Sequence, residues 1–496
     1  MKKTTRSQNH THPHRLLSLS VFAFLVPLTG CSTLQPDLKL PPAPVAMDWQ
    51  SGSKDQLGSD TDRPWQDMVR SERARSLVEL ALVQNRDLRI AALNVQRAQA
   101  QYRIQRAALL PEVDGVGTGS SQRAQAPNGS GESSVSRTYS ADLSVVAWEL
   151  DLFGRVASLK DAALQDYLST EAAQRATRLS VVAQVLGSYV QLCADLQRQQ
   201  LAQETLASRQ ASYQLQNSLN AAGLSSSVEL RRAKTELHEI EDQTLEAVAA
   251  AARSRNTLEL VVGSPLGTVE GEPIAGILTD VVPGVGVPSD LLYRRPDILA
   301  AEHQLRAANA NIGSARAAFF PSITLTGSFG SASQELSGLF DGGTRAWSFI
   351  PQLHLPIFNG GRLRASLKVA KVDRDRALAD YEKAIQTSFR EVSDVLADQA
   401  VIGDRVRARR DQVVSADEVL DAIGDRYEAG ISDQLELLDA QRGLYSSQRS
   451  LVSAESRQVQ IAIDLYRTLG GNWAADQVTP VAKTRWSESR LERSMP

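Results

Sequence analysis

The sequence predicts a mainly α-helical protein with a β-barrel portion, built from two structural repeats per chain. Three observations carry that prediction. The second half of the chain repeats the order of the first. Proline is absent from 128 to 264 and from 357 to 479. Four short segments alternate apolar and polar residues, the period of a half-buried strand.

The repeat is visible by sliding the chain along itself. An offset of 210 places Asp87 on Asp297, Arg106 on Arg316, Pro111 on Pro321 and Gly117 on Gly327. An offset of 205 sets Phe153 on Phe358, within "WELDLFGR" and "LHLPIFNGGR". At 207, "AGLSSSVEL" falls on "AGISDQLEL" and Gly263 on Gly470. Each half therefore reads helix, strand, strand, long helix, tight turn, helix.

The amino terminus is an address. Lys2, Lys3, Arg6 and Arg15 precede an apolar run, Leu16 to Leu28, which is too short to span a bilayer as a mature helix. It closes in "LTGC", the pattern of a bacterial lipoprotein signal with Cys31 as the lipidated first residue. Ser32, where an aspartate is absent, resembles the outer-membrane sorting class. Residues 1–30 are thus expected to be a signal peptide and 31–64 a proline-rich, extended, lipidated tether. Loss of the four basic residues takes the net charge from −3 to −7, which argues against nucleic acid as a partner. The one other cysteine, Cys193, falls on a heptad-like seam and is expected to be buried and structural. No later stretch approaches twenty apolar residues, so a membrane crossing would have to be a β-barrel.

The repeats are expected at 65–288 and 289–473. In each, a helix ends at a proline (Pro111, Pro321), which lacks the amide donor. Strands are expected at about 112–120 and 139–153, then at about 322–330 and 347–358. Ten residues is the length of a tilted membrane strand. Gly154 and Gly360 mark the return from strand to helix. Four strands cannot close a barrel with a usable interior, so the chain must oligomerise.

The long helices are expected from about Ser158 to Leu219 and from Leu363 to Ile423. The first is on the order of 90 Å long at 1.5 Å per residue. Its Leu168, Ala172, Leu179, Val182, Leu186 and Tyr189 keep the three-four spacing of a coiled-coil seam. Each long helix ends in a tight turn, Ala222-Gly223-Leu224-Ser225 and Ala429-Gly430-Ile431-Ser432. The glycines permit positive φ, and Ser225 and Ser432 are candidate caps of the next helix. The tail, 474–496, is polar.

The doubled plan, "WELDLFGR", "LPIFNGGR", the "AGLSS" and "AGIS" turns, "LELLDAQR" and "YRTLGGNW" together resemble the TolC-like outer-membrane factors. The lipobox resembles their lipidated branch, which serves RND-type drug efflux. The resemblance runs from about Trp65 to Trp473. It implies a homotrimer whose protomers complete a β-barrel in the outer membrane and a coiled-coil α-barrel in the periplasm. It implies a periplasmic adaptor protein and an inner-membrane RND-type pump as partners, outer-membrane lipid around the barrel, and a passive, gated exit duct for drugs and other small toxic compounds. By the same resemblance the two turns contact the adaptor.

The resemblance also marks a periplasmic gate. Glu436 and Asp439 lie three apart on one helical face, with Leu435 as an apolar neighbour. In a threefold tube they would form stacked carboxylate rings that favour cations. Their counterparts in the first half are Glu229 and Arg232, and Arg232 is a candidate to pair with Asp439 or Glu436. Tyr427 matches a position that helps close the tip.

Nothing in the sequence calls for an enzyme, a cofactor or a metal. "HEIED" fails the HExxH pattern, there is no P-loop, and "GVGTG" sits in a strand-like context. A type I protein-secretion duct and a pore-free coiled-coil lipoprotein scaffold are the alternatives. The four strands weigh against the scaffold.

Overall fold

The computed structural model describes residues 33–45, 64–125, 133–279 and 295–471. The signal peptide, Cys31 and the 474–496 tail lie outside them. In order, the main elements are α1 (Trp65–Met68), α2 (Glu72–Gln84), α3 (Arg86–Ala107), β1 (Asp114–Gln125), β2 (Ser133–Leu150), α4 (Arg155–Ala221), α5 (Ser227–Val262), α6 (Pro296–Ala317), β3 (Ser322–Ser333), β4 (Arg345–His354), α7 (Arg362–Glu428) and α8 (Gln434–Thr468). The doubling is almost residue for residue. The helices α4 and α7 are 67 residues each, α3 and α6 are 22 each, and β1 and β3 are 12 each.

Several boundaries differ from expectation. Helices α3 and α6 stop at Ala107 and Ala317, four residues before Pro111 and Pro321 rather than at them. A helix carried through the proline would drive its ring into the carbonyl four residues back, so the preceding turn is lost as well. The strands reach further from the helices than expected. β1 runs on to Gln125, and β2 begins at Ser133 but stops at Leu150, short of 153. β4 ends at His354, two residues before Pro356, which cannot continue a ladder.

The chain divides into two compact units, and each draws on both halves. One comes from Met1–Lys39, Gln99–Asp166 and Leu305–Ala377, the other from Leu40–Ala98, Tyr167–Gln304 and Leu378–Pro496.

The first unit holds a four-stranded antiparallel sheet in the order β1-β2-β3-β4. Register sorts most of its central side chains by face, with Ile350 an exception on the polar side. Leu143, Phe329 and Trp347 line up across β2, β3 and β4, and so do Leu150, Ile323 and Leu353. On the opposite face the rows are Ser144, Ser328 and Ser348, then Glu149, Thr324 and Gln352. Cross-strand hydroxyl pairs knit that polar face, Thr118 to Ser140 at 2.6 Å and Ser328 to Ser348 at 2.8 Å. The apolar face is not covered by the chain, since Trp347 is 75% exposed, Leu353 65% and Phe349 62%. The outer edges of β1 and β4 have no neighbour among the described residues. Twelve residues of strand span about 40 Å, or roughly 28 Å when tilted by about 45°, close to the ~30 Å hydrocarbon core of a bilayer.

The second unit has the main core. Val185, Leu186, Tyr189 and Val190 of α4 pack with Leu258 and Val262 of α5, Val78 of α2, Ile463 of α8, and Ile274 and Ile277 of the following loop. This packing accounts for one surprise: an 18-residue window of α4 reaches a mean hydropathy of 1.4, apolar enough to cross a membrane by composition. That window is 61% buried within the chain, as befits a core helix. Cys193 lies in it, fully buried, and burial pushes its thiol pKa up, away from reactivity.

Arg295 locks three helices of this unit together. Its guanidinium donates to Asp297 at the start of α6 (3.0 and 2.7 Å), to Glu391 of α7 (2.9 Å) and to the carbonyl of Thr468 at the end of α8 (2.9 Å).

Candidate pore sheet and channel tip

The two tight turns are built alike. In the first, Gly223 takes φ 72°, its N–H donates to the Asn220 carbonyl (3.0 Å), and the Leu224 N–H reaches back to Leu219 (2.9 Å). In the second, Gly430 takes φ 70°, its N–H donates to Tyr427 (3.0 Å), and Ile431 reaches back to Arg426 (2.7 Å). Both are Schellman motifs, which satisfy the last carbonyls of a helix and need a left-handed residue at this position. They leave Leu224 and Ile431 exposed at the tips, at 76% and 69%. Ala222 and Ala429 are exposed beside them.

The caps fall one residue later than expected. Ser226, not Ser225, accepts from the Glu229 N–H, and Glu229 Oε2 accepts from the Ser226 N–H at 2.8 Å, a complete capping box. Asp433, not Ser432, accepts from the Glu436 N–H at 2.9 Å. Ser225 and Ser432 instead donate their hydroxyls to the carboxylates of Glu229 and Glu436. The signal was legible as S-x-x-E and D-x-x-E, but three successive serines hid which one caps.

These bonds change the expected acidic ring. Glu229 is held by the Ser226 backbone N–H, then the Ser225 hydroxyl, with Arg232 adding a favourable field, and its pKa lies below the ordinary carboxylate value. A depressed pKa contributes stability that is present above the unfolded value of 4.5 and lost as pH falls toward the folded one. Below about pH 4.5 the protection of the first turn of α5, taken as exchange relative to the free-peptide rate at the same pH, should therefore fall in the wild type. In Glu229→Gln that turn should exchange faster at neutral pH and show no such acid step.

Asp439 pairs with Arg442 on its own helix, and Arg442 also lies 3.8 Å from Glu236 of α5. Among the described contacts Asp439 bonds Arg442 and Glu436 bonds Ser432, and the expected partnership of Arg232 with either carboxylate does not form within the chain. Arg232 shares with Asp439, Leu435, Leu438 and Arg442 a groove of about 380 Å³ between α5 and α8. Tyr427 is placed as a tie, since its hydroxyl accepts from Gln216 Nε2 of α4 at 2.9 Å. Sequence reading missed Gln216, Glu236 and Arg442, and it missed Arg209 too. The Arg209 side chain, 5% exposed, bonds to Gln441 and lies 3.9 Å from Glu236. The contacts of Gln216, Glu236 and Arg209 join helices far apart in sequence and leave no local pattern, whereas the Asp439–Arg442 pair was legible at its i,i+3 spacing.

A sheet with one bare apolar face, one polar face and edges that have no neighbour among the described residues has the make-up of membrane β-barrel staves. Carried by a chain that is otherwise long paired helices, it defines an outer-membrane channel protomer. The chain belongs to the outer membrane efflux protein family, whose model matches residues 77–264 and 287–471. This is a family of channels, not of enzymes. The chain is similar to the probable efflux pump outer membrane protein TtgC of Pseudomonas putida, 43% identical over 92% of this chain and 96% of that one. It is 42% identical to the outer membrane protein OprJ of Pseudomonas aeruginosa, over 92% and 96% of the two chains. Among solved structures, a membrane protein from Pseudomonas aeruginosa matches with a TM-score of 0.82 at 41% identity, covering 88% of this chain and all of the other. The open state of the MtrE channel of Neisseria gonorrhoeae matches with a TM-score of 0.81 at 36% identity, covering 89% and 98%.

Proposed function

We propose that this chain is the outer-membrane exit duct of a tripartite efflux system, passive and gated at its periplasmic tip, working as a homotrimer with a periplasmic adaptor and an inner-membrane RND-type pump. The observation that carries the reading is the sheet. Its exposed apolar face demands lipid, and its open edges demand further strands. Relatives named for antibiotic and toluene efflux, at 43% identity, point to small toxic organic compounds as cargo. In this reading the signal peptide (1–30) and the lipid on Cys31 deliver the chain to the outer membrane, and the repeats (65–288 and 289–473) supply equivalent staves and helices. The exposed turns at Gly223 and Gly430 offer Leu224 and Ile431 to the adaptor.

The gate lies where α5, α7 and α8 meet the tips. Glu229 and Glu436 are anchored to their turns, so the residues free to hold or release the aperture are Leu435, Asp439, Arg442 and Tyr427, with Arg232 facing them across the groove. Substituting Tyr427→Phe together with Arg442→Ala removes the Gln216 tie and the Asp439 and Glu236 partners at once. Single-channel conductance in planar bilayers should then rise above wild type. An unchanged conductance places the constriction elsewhere.

The duct as a whole is tested in cells. Loss of the gene should raise accumulation of a fluorescent efflux dye, and the plasmid-borne chain should restore export. Restored export by a variant that cannot enter the outer membrane would exclude the duct.

A further inference from the structure

The first described residues after Cys31 do not behave as a loose tether. The ideal Cβ position on Gly154, in the turn between β2 and α4, lies 2.8 Å from the Thr33 Cα, so the backbone at Thr33 packs directly on that glycine. Gly154 has φ 69°, and any side chain there would be both strained and in collision with Thr33. The next residues are gripped in order. The Leu34 carbonyl accepts from Arg316 Nη1 (3.2 Å), the Gln35 amide donates to Asp161 Oδ2 (3.2 Å), and the Pro36 carbonyl accepts from Asn309 Nδ2 (2.8 Å). Gly313 leaves room for Gln35, whose Cγ would lie 2.6 Å from a Cβ at that position. Three residues of α6, one of α4 and one turn thus hold four residues of chain.

Beside the polar grips the segment meets apolar side chains, Leu152, Phe153 and Phe320, in a lining shared with Glu149, Asp151 and Arg155. Phe153, just before Gly154, stacks on Phe320 with ring centroids 4.7 Å apart, and Phe320 follows Arg316 by one turn. Phe320, Phe319 and Leu152 are 42%, 37% and 37% exposed. Cys31 is two residues from Thr33, so its Cα can lie no more than about 7 Å from that point, and its sulfur no more than about 10 Å.

We propose that residues 33–36 are a positioning clamp for the amino-terminal lipid, seating the acyl chains of Cys31 against Leu152, Phe319 and Phe320 at the foot of the sheet. The proposal rests on the lipidation reading of Cys31. The chain leading into Thr33 commits the apolar patch to this occupant, because Cys31, two residues earlier, tethers its lipid beside it. The clamp gives the lipid a fixed depth, at the strand ends where a bilayer surface must fall, and it braces β2, α4 and α6 where strand turns into helix.

The test uses the full chain in its own membrane. Cells are fed a diazirine-bearing fatty acid, irradiated, and the protein is digested for mass spectrometry. The acyl mass on the Cys31 peptide is read first, and its absence overturns the lipidation reading and the clamp with it. With the acyl group present, the expected result is a cross-link between the Cys31 peptide and peptides containing Leu152 or Phe319–Phe320. That yield should fall at least about tenfold in Asn309→Ala/Arg316→Ala, in which the two side chains that hold the Leu34 and Pro36 carbonyls are gone. Cross-links confined to other peptides or to phospholipid, or an unchanged yield in the double variant, would overturn the clamp while leaving lipidation standing.

Discussion

Phe349→Lys in β4 should abolish stable assembly in the outer membrane, whereas Ser348→Lys, one residue away, should leave the assembly intact. Phe349 lies on the apolar row of the sheet, opposite Gly327 and mid-strand, and is 62% exposed. A lysine on the lipid face of a barrel costs about 2–4 kcal/mol near the bilayer midplane. A homo-oligomer incurs that cost once per copy, against strand edges that each copy needs to bury. Ser348 points the other way, into the polar row with Ser144 and Ser328. Its loss removes one hydroxyl pair, a matter of about 1 kcal/mol, and places a charge toward the lumen. The heat-sensitive oligomer in outer-membrane fractions should therefore vanish for Phe349→Lys. For Ser348→Lys it should persist, with a pore shifted toward anions. Equal tolerance of both substitutions would mean that the apolar row does not face lipid.

Arg295→Ala should be the most damaging single change in the helical unit. The side chain is 7% exposed and its donors are matched to two carboxylates and one carbonyl, on α6, α7 and α8. Burial by itself would lower its pKa, but Asp297 and then Glu391 more than offset that, and the net shift is upward. Removing one partner of a buried ion pair typically costs about 3–5 kcal/mol, because the other charge is left uncompensated. The lower end of that range is the expectation here, since Glu391 is 25% exposed and keeps Arg467 at 3.9 Å. Arg295→Lys should recover only part, because an ammonium cannot span the Asp297 fork and the Thr468 carbonyl together. Thermal denaturation followed by circular dichroism checks the order wild type, lysine, alanine. An alanine variant as stable as wild type would remove Arg295 from the account.

Much of this architecture was legible because it was written twice. Aligned halves located both strand pairs, both long helices and both turns, and period-two alternation separated the apolar row of β4 from its polar one. What stayed illegible has physical reasons. "SSVSR" (133–137) read as loop but is ladder in β2, because backbone pairing satisfies a strand whose side chains are mostly polar. "DLF" (151–153) read as strand but turns into Gly154, whose φ of 69° and close approach to Thr33 a strand residue could not adopt. The caps slipped by one, in the first turn within a run of three serines and in the second from Ser432 to Asp433. The proline-rich start read as a tether because the groups that hold it are its own carbonyls, bonded by Arg316 and Asn309. At the tip, Glu436 and Asp439 were found, but their local partners Ser432 (i,i+4) and Arg442 (i,i+3) were overlooked, and the cross-helix contacts of Arg442 and Arg209 with Glu236 left no pattern to read.

The central claim is that several copies of this chain close a continuous pore. Planar-bilayer recording of the purified, detergent-extracted oligomer tests it most directly. The account predicts discrete unitary current steps that disappear when the protein is heat-dissociated to monomers. A silent bilayer from folded, membrane-inserted oligomers would contradict it.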